Sequence, residues 1–260
     1  MYKIAVITPC YNRAKFIPEC LQSVSLSNTF GLFEIEHIVI DDASTDDTWN
    51  VLSRSKVANL KLLKLKENKG PAFARNYAID RSDADFIFCL DSDDILFQNS
   101  LFSLLTFALE KKADWVYGDV IRGDAQLRYL IGEDFFGWKF KKITDVLTAM
   151  FKNEHFFQPN CLFSKKAFSE AGGYDGSRHI EEEFDLFLRM LMQGYFPYYL
   201  PAPLYMYRIH DNNISKRYAE DPKNHKEALC ELYIKYKDTL KTLLSKNEIV
   251  TIERTHLSWS

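Results

Sequence analysis

Continuous apolar runs that end in polar, acidic or glycine-containing turns dominate the first ninety residues. Residues 4–7 form a β-branched run stopped by Thr8-Pro9, and residues 14–25 then carry helical spacing through Phe16, Ile17, Leu21 and Val24. A second strand is predicted at 35–40. It ends in Asp41-Asp42-Ala43-Ser44-Thr45-Asp46-Asp47, where Ser44 or Thr45 can cap a helix over 48–55. Residues 60–65 alternate with lysines as a third strand, Gly70-Pro71 opens a helix over 72–79, and 86–90 reads as a fourth strand. Strand and helix alternating at this spacing predict an α/β fold: a doubly wound, mostly parallel sheet flanked by helices. Ligands bind such sheets outside the carboxyl ends of the strands. Three polar segments fall at those ends, Thr8-Pro9-Cys10-Tyr11-Asn12, Asp41-Asp42-Ala43-Ser44 and Asp91-Ser92-Asp93-Asp94.

The second half is less regular. A strand is predicted at 115–120, a helix at 143–151, and a short helix at 165–171 ended by Gly172-Gly173. The segment from Glu181 to Leu191 begins acidic and becomes an apolar-faced helix, an order that suits the helix dipole. From about Asp221 onward the chain reads as helical and lysine-rich, an appendage and not a separate domain.

Asp91, Asp93 and Asp94 crowd the tip of an apolar strand, where mutual repulsion raises carboxyl pKa values unless a cation or hydrogen-bond donors intervene. Oxygen-only ligands suit a hard ion such as Mg²⁺ or Mn²⁺, which keeps positions open for water and phosphate oxygens. The simpler alternative is a solvated acidic loop capping a helix that starts near Ser100. Across the 260 residues the formal net charge is −3 and no basic block dominates, which argues against nucleic acid as a partner. Five cysteines are scattered singly, without CxxC pairs, as expected of reduced thiols. No apolar run approaches membrane-spanning length, so a soluble or peripheral cytoplasmic protein is expected. Gly-rich phosphate loops of the GxGxxG and GxxxxGK[ST] types are absent.

Five separated motifs occur in one order: Ile7-Thr8-Pro9-Cys10-Tyr11-Asn12; Val39-Ile40-Asp41-Asp42-Ala43-Ser44-Thr45-Asp46; Asn68-Lys69-Gly70-Pro71-Ala72-Phe73-Ala74-Arg75-Asn76; Leu90-Asp91-Ser92-Asp93-Asp94; and Gly172-Gly173-Tyr174-Asp175 followed by Glu182-Glu183-Phe184-Asp185-Leu186. From about residue 4 to 215 the chain thereby resembles the family 2 glycosyltransferases of the GT-A fold, inverting enzymes that use nucleotide sugars. The second motif is similar to the family's DDGSTD segment, the third to its NxGxxxARN helix start, the fourth to its DxD motif, and the last to its GGFD and ED-x-D-L pair. The resemblance implies a GT-A domain over 1–220, with a nucleotide-binding half at 1–118 and an acceptor and catalytic half at 119–220, followed by a helical extension at 221–260.

The resemblance also implies roles. Thr8, Pro9, Tyr11 and Asp42 would surround the nucleobase of a nucleotide diphosphate sugar, expected to be a UDP-sugar; a carboxylate can accept a ring imide N–H and an aromatic face can stack on the base. Gly70, Arg75, Asp91, Ser92 and Arg208 would contact the rest of the donor, Asp91 facing the ribose or the metal. Asp93 would ligate an Mg²⁺ or Mn²⁺ ion bridging the diphosphate. His210, in a YRxH-like segment at Tyr207-Arg208-Ile209-His210, would touch phosphate or metal. The general base falls on Glu183, with Glu182 and Asp185 as rivals, because the family commonly has Asp at this point. Ala43 is a second departure, standing where glycine is usual.

The expected acceptor is a hydroxyl of a glycan or lipid-linked glycan. Phe135, Phe136, Trp138 and the segment Phe156-Phe157-Gln158-Pro159-Asn160 are candidates to line its groove, with core packing as the alternative. Lys235, Lys237, Lys241 and Lys246 are candidates for peripheral contact with an anionic membrane face, with a solvated helix as the alternative. Oligomeric state stays open. Two competing functions are a nucleotidyltransferase, which would want a basic Gly-rich loop after the first strand, and a catalytically silent sugar-nucleotide-binding protein.

Overall fold

The computed structural model describes the chain except residues 133, 153–159, 179, 212, 214–221 and 258–260. The predicted acceptor residues 156–159 and the 220/221 boundary therefore lie outside the described residues. Strands β1 (Tyr2–Cys10), β2 (Phe33–Asp41), β3 (Leu60–Lys64) and β4 (Phe86–Cys89) alternate with helices α1 (Ile17–Ser25), α2 (Thr48–Arg54) and α3 (Pro71–Ile79). All three pairings among these strands, β1 with β2, β1 with β4 and β2 with β3, are parallel. Both faces of β1 and β4 are covered, which is why their runs are continuously apolar. Along β1, Ile4 and Val6 pack on one side with Phe88 and Leu101, and Ala5 and Ile7 on the other with Ile38 and Ile87. Helix α1 starts at Ile17, later than the spacing at 14 suggests, because Pro18 sits at its first positions and residues 13–16 form a turn.

The second half contributes β5 (Ile95–Leu96), α4 (Ser100–Lys111), β6 (Trp115–Gly123), α5 (Ile143–Phe151), β7 (Leu162–Ser164), α6 (Lys165–Glu170), α7 (Glu182–Met192) and β8 (Tyr198–Arg208). Among the described residues eight strands form one sheet, in the order β3-β2-β1-β4-β7-β6-β8-β5. Strand β7 runs antiparallel to both β4 and β6, whereas β6 and β8 are parallel. Strand β8 carries Pro201 and Pro203, which cannot donate to a ladder, and its register with β6 shifts at Tyr117, Asp119 and Val120. Gly118 sits at that shift because a Cβ there would meet the Ala202 and Leu200 carbonyl oxygens at 2.8 and 2.9 Å.

Helices α8 (Pro222–Leu243) and α9 (Lys246–Leu257) complete the fold. The C-terminal segment is helical as predicted, and it packs onto the domain. Leu229, Leu232, Leu240 and Ile252 are fully buried in the core shared with α5 and α7. Lys235 and Lys237, two of the four lysines offered to a membrane, instead face Asp175, Asp185 and Glu253.

Candidate active site

The parallel register places Cys10 beside Asp41 and Asp41 beside Lys64, so the loops after β1, β2 and β4 emerge on one edge of the sheet. The first two loops are tied by Asn12, held at φ 54°. Its backbone N–H donates to Ser44 Oγ at 2.9 Å, and its side-chain oxygen accepts the Thr45 N–H at 2.8 Å and the Asp46 N–H at 3.3 Å. Ala43 is left at φ 59°, the left-handed region that glycine would occupy without strain.

Asp42 is 3% exposed and accepts the backbone N–H groups of Lys69 and Gly70, each at 2.8 Å, one on each carboxylate oxygen. Burial raises its pKa against the pull of those two bonds. Gly70 has φ 84° and stands directly before Pro71 at the start of α3, so the chain can turn its amide onto Asp42. Pro9 lies half-buried at the tip of β1, and Tyr11 presents an exposed ring beside it. Thr8 does not join them. It is fully buried and its hydroxyl shares a 3.0 Å hydrogen bond with His37 Nε2 between β1 and β2, so it supports the sheet. Ser92 is also buried and bonds the Cys10 thiol.

Arg75 joins two distant parts of the chain. Its Nη2 donates to Asp91 Oδ1 at 2.9 Å, and its Nη1 donates to Glu183 Oε1 at 2.6 Å and Glu182 Oε1 at 3.3 Å. The guanidinium also lies 5.4 Å from the centre of the Tyr174 ring. Asn76, the next residue, locks Tyr174 in place by accepting its N–H at 2.9 Å and donating to its carbonyl at 2.8 Å. The Glu183 carboxyl is pushed up to about 8, first by burial and then by the Glu182 charge, with Arg75 pulling the other way. Asp185 is not equivalent. Its side chain is wholly buried, with Oδ1 bonded by Tyr236 and Lys235 and Oδ2 by Arg189, so it has no face toward an acceptor. That removes it as a rival to Glu183.

The acidic cluster divides by environment. Asp93 Oδ2 accepts from Arg13 Nε at 3.1 Å and lies 2.8 Å from His210 Nε2. Burial pushes Asp93 up, but the His210 hydrogen bond and the Arg13 charge together hold it below the usual carboxylate range. Asp94 is driven well upward by burial and by the charges of Asp93 and Asp91. It accepts the Arg208 N–H at 3.0 Å and keeps one buried oxygen without a hydrogen-bond partner. Arg208 is 2% exposed, and its guanidinium donates to the carbonyls of Asp93 and Ala125 and to Glu19 Oε2. In this arrangement Arg208 braces the acidic loop from behind. His210 stacks on Phe16, ring centres 4.5 Å apart. A cleft of about 650 Å³ opens beside the Asp93–His210 pair, with Arg13, Phe16, Asp124, Arg128 and His210 in its walls.

Among the described residues no group of three or more His, Cys, Asp or Glu is arranged to hold a metal ion. Asp93 Oδ2 and His210 Nε2 are hydrogen-bonded to each other, so an ion would replace that bond or bind through the other Asp93 oxygen; a carboxylate with an imidazole beside it fits an ion that takes most of its ligands from water and phosphate oxygens. Sequence reasoning placed Asp94 in the acidic cluster but gave it no separate role, and it did not single out Arg13, which nothing in the local pattern marks.

Residues 5–172 match the model of glycosyl transferase family 2. The poly(ribitol-phosphate) beta-N-acetylglucosaminyltransferase TarS of Staphylococcus aureus is 37% identical over 117 residues, covering 44% of this chain and 20% of TarS. Glycosyltransferase GlyG of Streptococcus pneumoniae is 27% identical over 224 residues, 82% of this chain and 73% of GlyG. The alignment with TarS thus spans only a fifth of that relative. A crystal structure of S. aureus TarS 1-349 in complex with UDP-GlcNAc superposes with a TM-score of 0.71 at 19% identity, covering 99% of this chain and 73% of that one. The mannosyltransferase PcManGT from Pyrobaculum calidifontis, in complex with GDP-Man and Mn²⁺, superposes at 0.61 with 17% identity over 97% of this chain and 73% of that one. At these identities the superpositions establish a shared fold, the GT-A architecture.

Proposed function

Because the chain belongs to glycosyl transferase family 2, we propose that it moves a sugar, with inversion, from a nucleoside diphosphate sugar to a hydroxyl of a glycan or lipid-linked glycan. UDP-N-acetylglucosamine is the first donor to test, since it is the ligand named for TarS. The observation that carries the reading is Arg75, which draws Asp91 at the tip of β4 and Glu183 on α7 into one charged constellation across more than a hundred residues of chain.

Tyr11 offers its exposed ring to the base, and Asp42 retains lone pairs for a ring imide N–H after accepting from Lys69 and Gly70. Asp93 and His210 would hold an Mg²⁺ or Mn²⁺ ion, which when bound neutralises charge on the departing diphosphate. In the transfer, Glu183 takes the proton from the acceptor hydroxyl as that oxygen bonds to the anomeric carbon. The bond from that carbon to the diphosphate oxygen breaks on the opposite face, and the nucleoside diphosphate leaves with its electron pair. Arg75 keeps Glu183 and Asp91 from repelling each other and aims Glu183 at the site. Phe136 and Trp138 are exposed beyond β6 and suit stacking on an acceptor sugar, whereas Phe135 packs inward.

Calorimetry with UDP-, GDP- and dTDP-sugars, with and without Mn²⁺, tests the reading. One donor binding more tightly with the metal, followed by transfer with inverted anomeric configuration, is the expected result. If no nucleoside diphosphate sugar binds, the reading fails.

A further inference from the structure

We propose that helix α8 sets the aim of the transferring base, by holding the first turn of α7 at Asp185 and Glu181. This rests on the reading of Glu183 as the base. Residues of an α-helix step round the axis by about 100° each, so Glu183 and Asp185 point about 200° apart, to nearly opposite sides of α7. Asp185 faces α8, where Lys235 Nζ donates to Oδ1 at 3.0 Å and Tyr236 Oη at 2.7 Å. Its other oxygen is filled by Arg189 of α7 itself, at 2.9 Å from Nε and 2.7 Å from Nη2. Fixing Asp185 therefore fixes the rotation of α7 that presents Glu183 to Arg75.

A second point of hold lies at the residue before the helix. Glu181 sits at φ 58°, a left-handed conformation unfavourable for glutamate, and its Oε1 is 2.7 Å from His225 Nδ1 on α8. Lys235 also reaches Asp175 at 3.4 Å, which connects α8 to the glycine turn that Asn76 pins from the other side. Apolar contacts keep α8 itself in register. Leu229 and Leu232 are fully buried, and Tyr233 packs edge-on against Phe151, which packs edge-on against Phe184 of α7.

Stability alone does not explain this arrangement. Burying a carboxylate among charged partners commonly yields no more stability than apolar packing of the same volume; in some proteins such a group instead specifies one register, and that is the role proposed for Asp185. Lys235, Tyr236 and His225 are positioning residues supplied by the C-terminal helix α8.

The test uses the full chain with Lys235→Met and Tyr236→Phe combined. Turnover is read as UDP release from UDP-N-acetylglucosamine with Mn²⁺, or from whichever donor of the panel the parent turns over, with water as the acceptor whose proton Glu183 takes. The kcat should fall about 10–100-fold, the cost of a misplaced reacting group. Donor KM and the stoichiometry of UDP binding should stay at parent values, and Lys235→Arg alone should keep most of the activity. In a Glu183→Gln background the double variant should cause no further loss, because it acts through that carboxylate. A kcat equal to the parent's, or an equal loss in the Glu183→Gln background, overturns the proposal and leaves α8 a support of the fold only. The Arg75 side-chain ¹⁵N resonances give a readout independent of turnover. They should lose the restricted rotation imposed by Glu183 in the double variant, and unchanged signals overturn the proposal even if the parent proves inactive. An inactive parent by itself defeats only the functional reading.

Discussion

The raised Glu183 carboxyl makes a quantitative prediction about pH. With its proton affinity pushed to about 8 by burial and by Glu182, the deprotonated form that can accept a proton is the minor one at neutrality. It amounts to about one tenth of the enzyme at pH 7 and about one hundredth at pH 6. The kcat/KM, which reports the free enzyme, should therefore climb about tenfold per unit up to pH 7 and level off above 8. Glu183→Gln cannot accept the proton, so turnover should drop by roughly 10²–10⁴ while donor affinity holds. Glu182→Gln removes one of the charges that raise Glu183 and leaves Arg75 in place. That variant should stay active with its rising limb moved to lower pH. Initial rates of UDP release between pH 5.5 and 9.5 for the parent and both variants measure all of this. A pH-independent kcat/KM, or an active Glu183→Gln beside a dead Glu182→Gln, would show that the base has been assigned to the wrong carboxylate.

Three further outcomes are expected. Asp93→Asn should remove most of the Mn²⁺-dependent gain in donor affinity seen by calorimetry, because the amide is a poor ligand and no longer pairs with Arg13 and His210; a full metal effect in that variant would refute the assignment. Asp42→Asn should weaken binding of every nucleotide and blur the preference among uridine, guanosine and thymidine forms, since an amide both donates and accepts; an unaltered ranking and affinity would count against a base contact. Ala43→Gly should raise stability by about 0.5–1 kcal/mol by relieving the left-handed backbone, as read from the urea midpoint; a lower midpoint would mean that the alanine methyl is held by packing.

The parallel half of the sheet and its acidic edge could be read from the chain because their signals are local. Residues 4–7, 38–40 and 86–90 are apolar throughout, since helices cover both faces, and each run ends where the polar motif begins. The second half resisted for equally physical reasons. Strand β7 is three residues long, and the prolines of β8 argue against a strand unless a register shift accommodates them. Asp185 looked like a candidate base because spacing along a helix gives angles but not neighbours. Only the packed molecule shows that its side of α7 is filled by Lys235 and Tyr236. Thr8 stands in the same motif, but strand alternation turns its hydroxyl onto His37.

The bonds from Arg75 to Glu182 and Glu183 span 107 and 108 residues of sequence, and this separation bears on the order in which the molecule becomes competent. Long loops close late, since their entropy must be spent before the contact gives anything back. The edge formed by β1, β2 and β4, with Tyr11 and Asp42, is drawn from the first ninety residues and can assemble from neighbouring segments as the chain is synthesised. The carboxylate that completes the chemistry waits for α7, and α7 packs on helices from the last forty residues. On the proposed roles, a chain interrupted before α8 would thus hold the parts for gripping a nucleotide without a seated group for transfer, which separates recognition from reaction in time as well as in space.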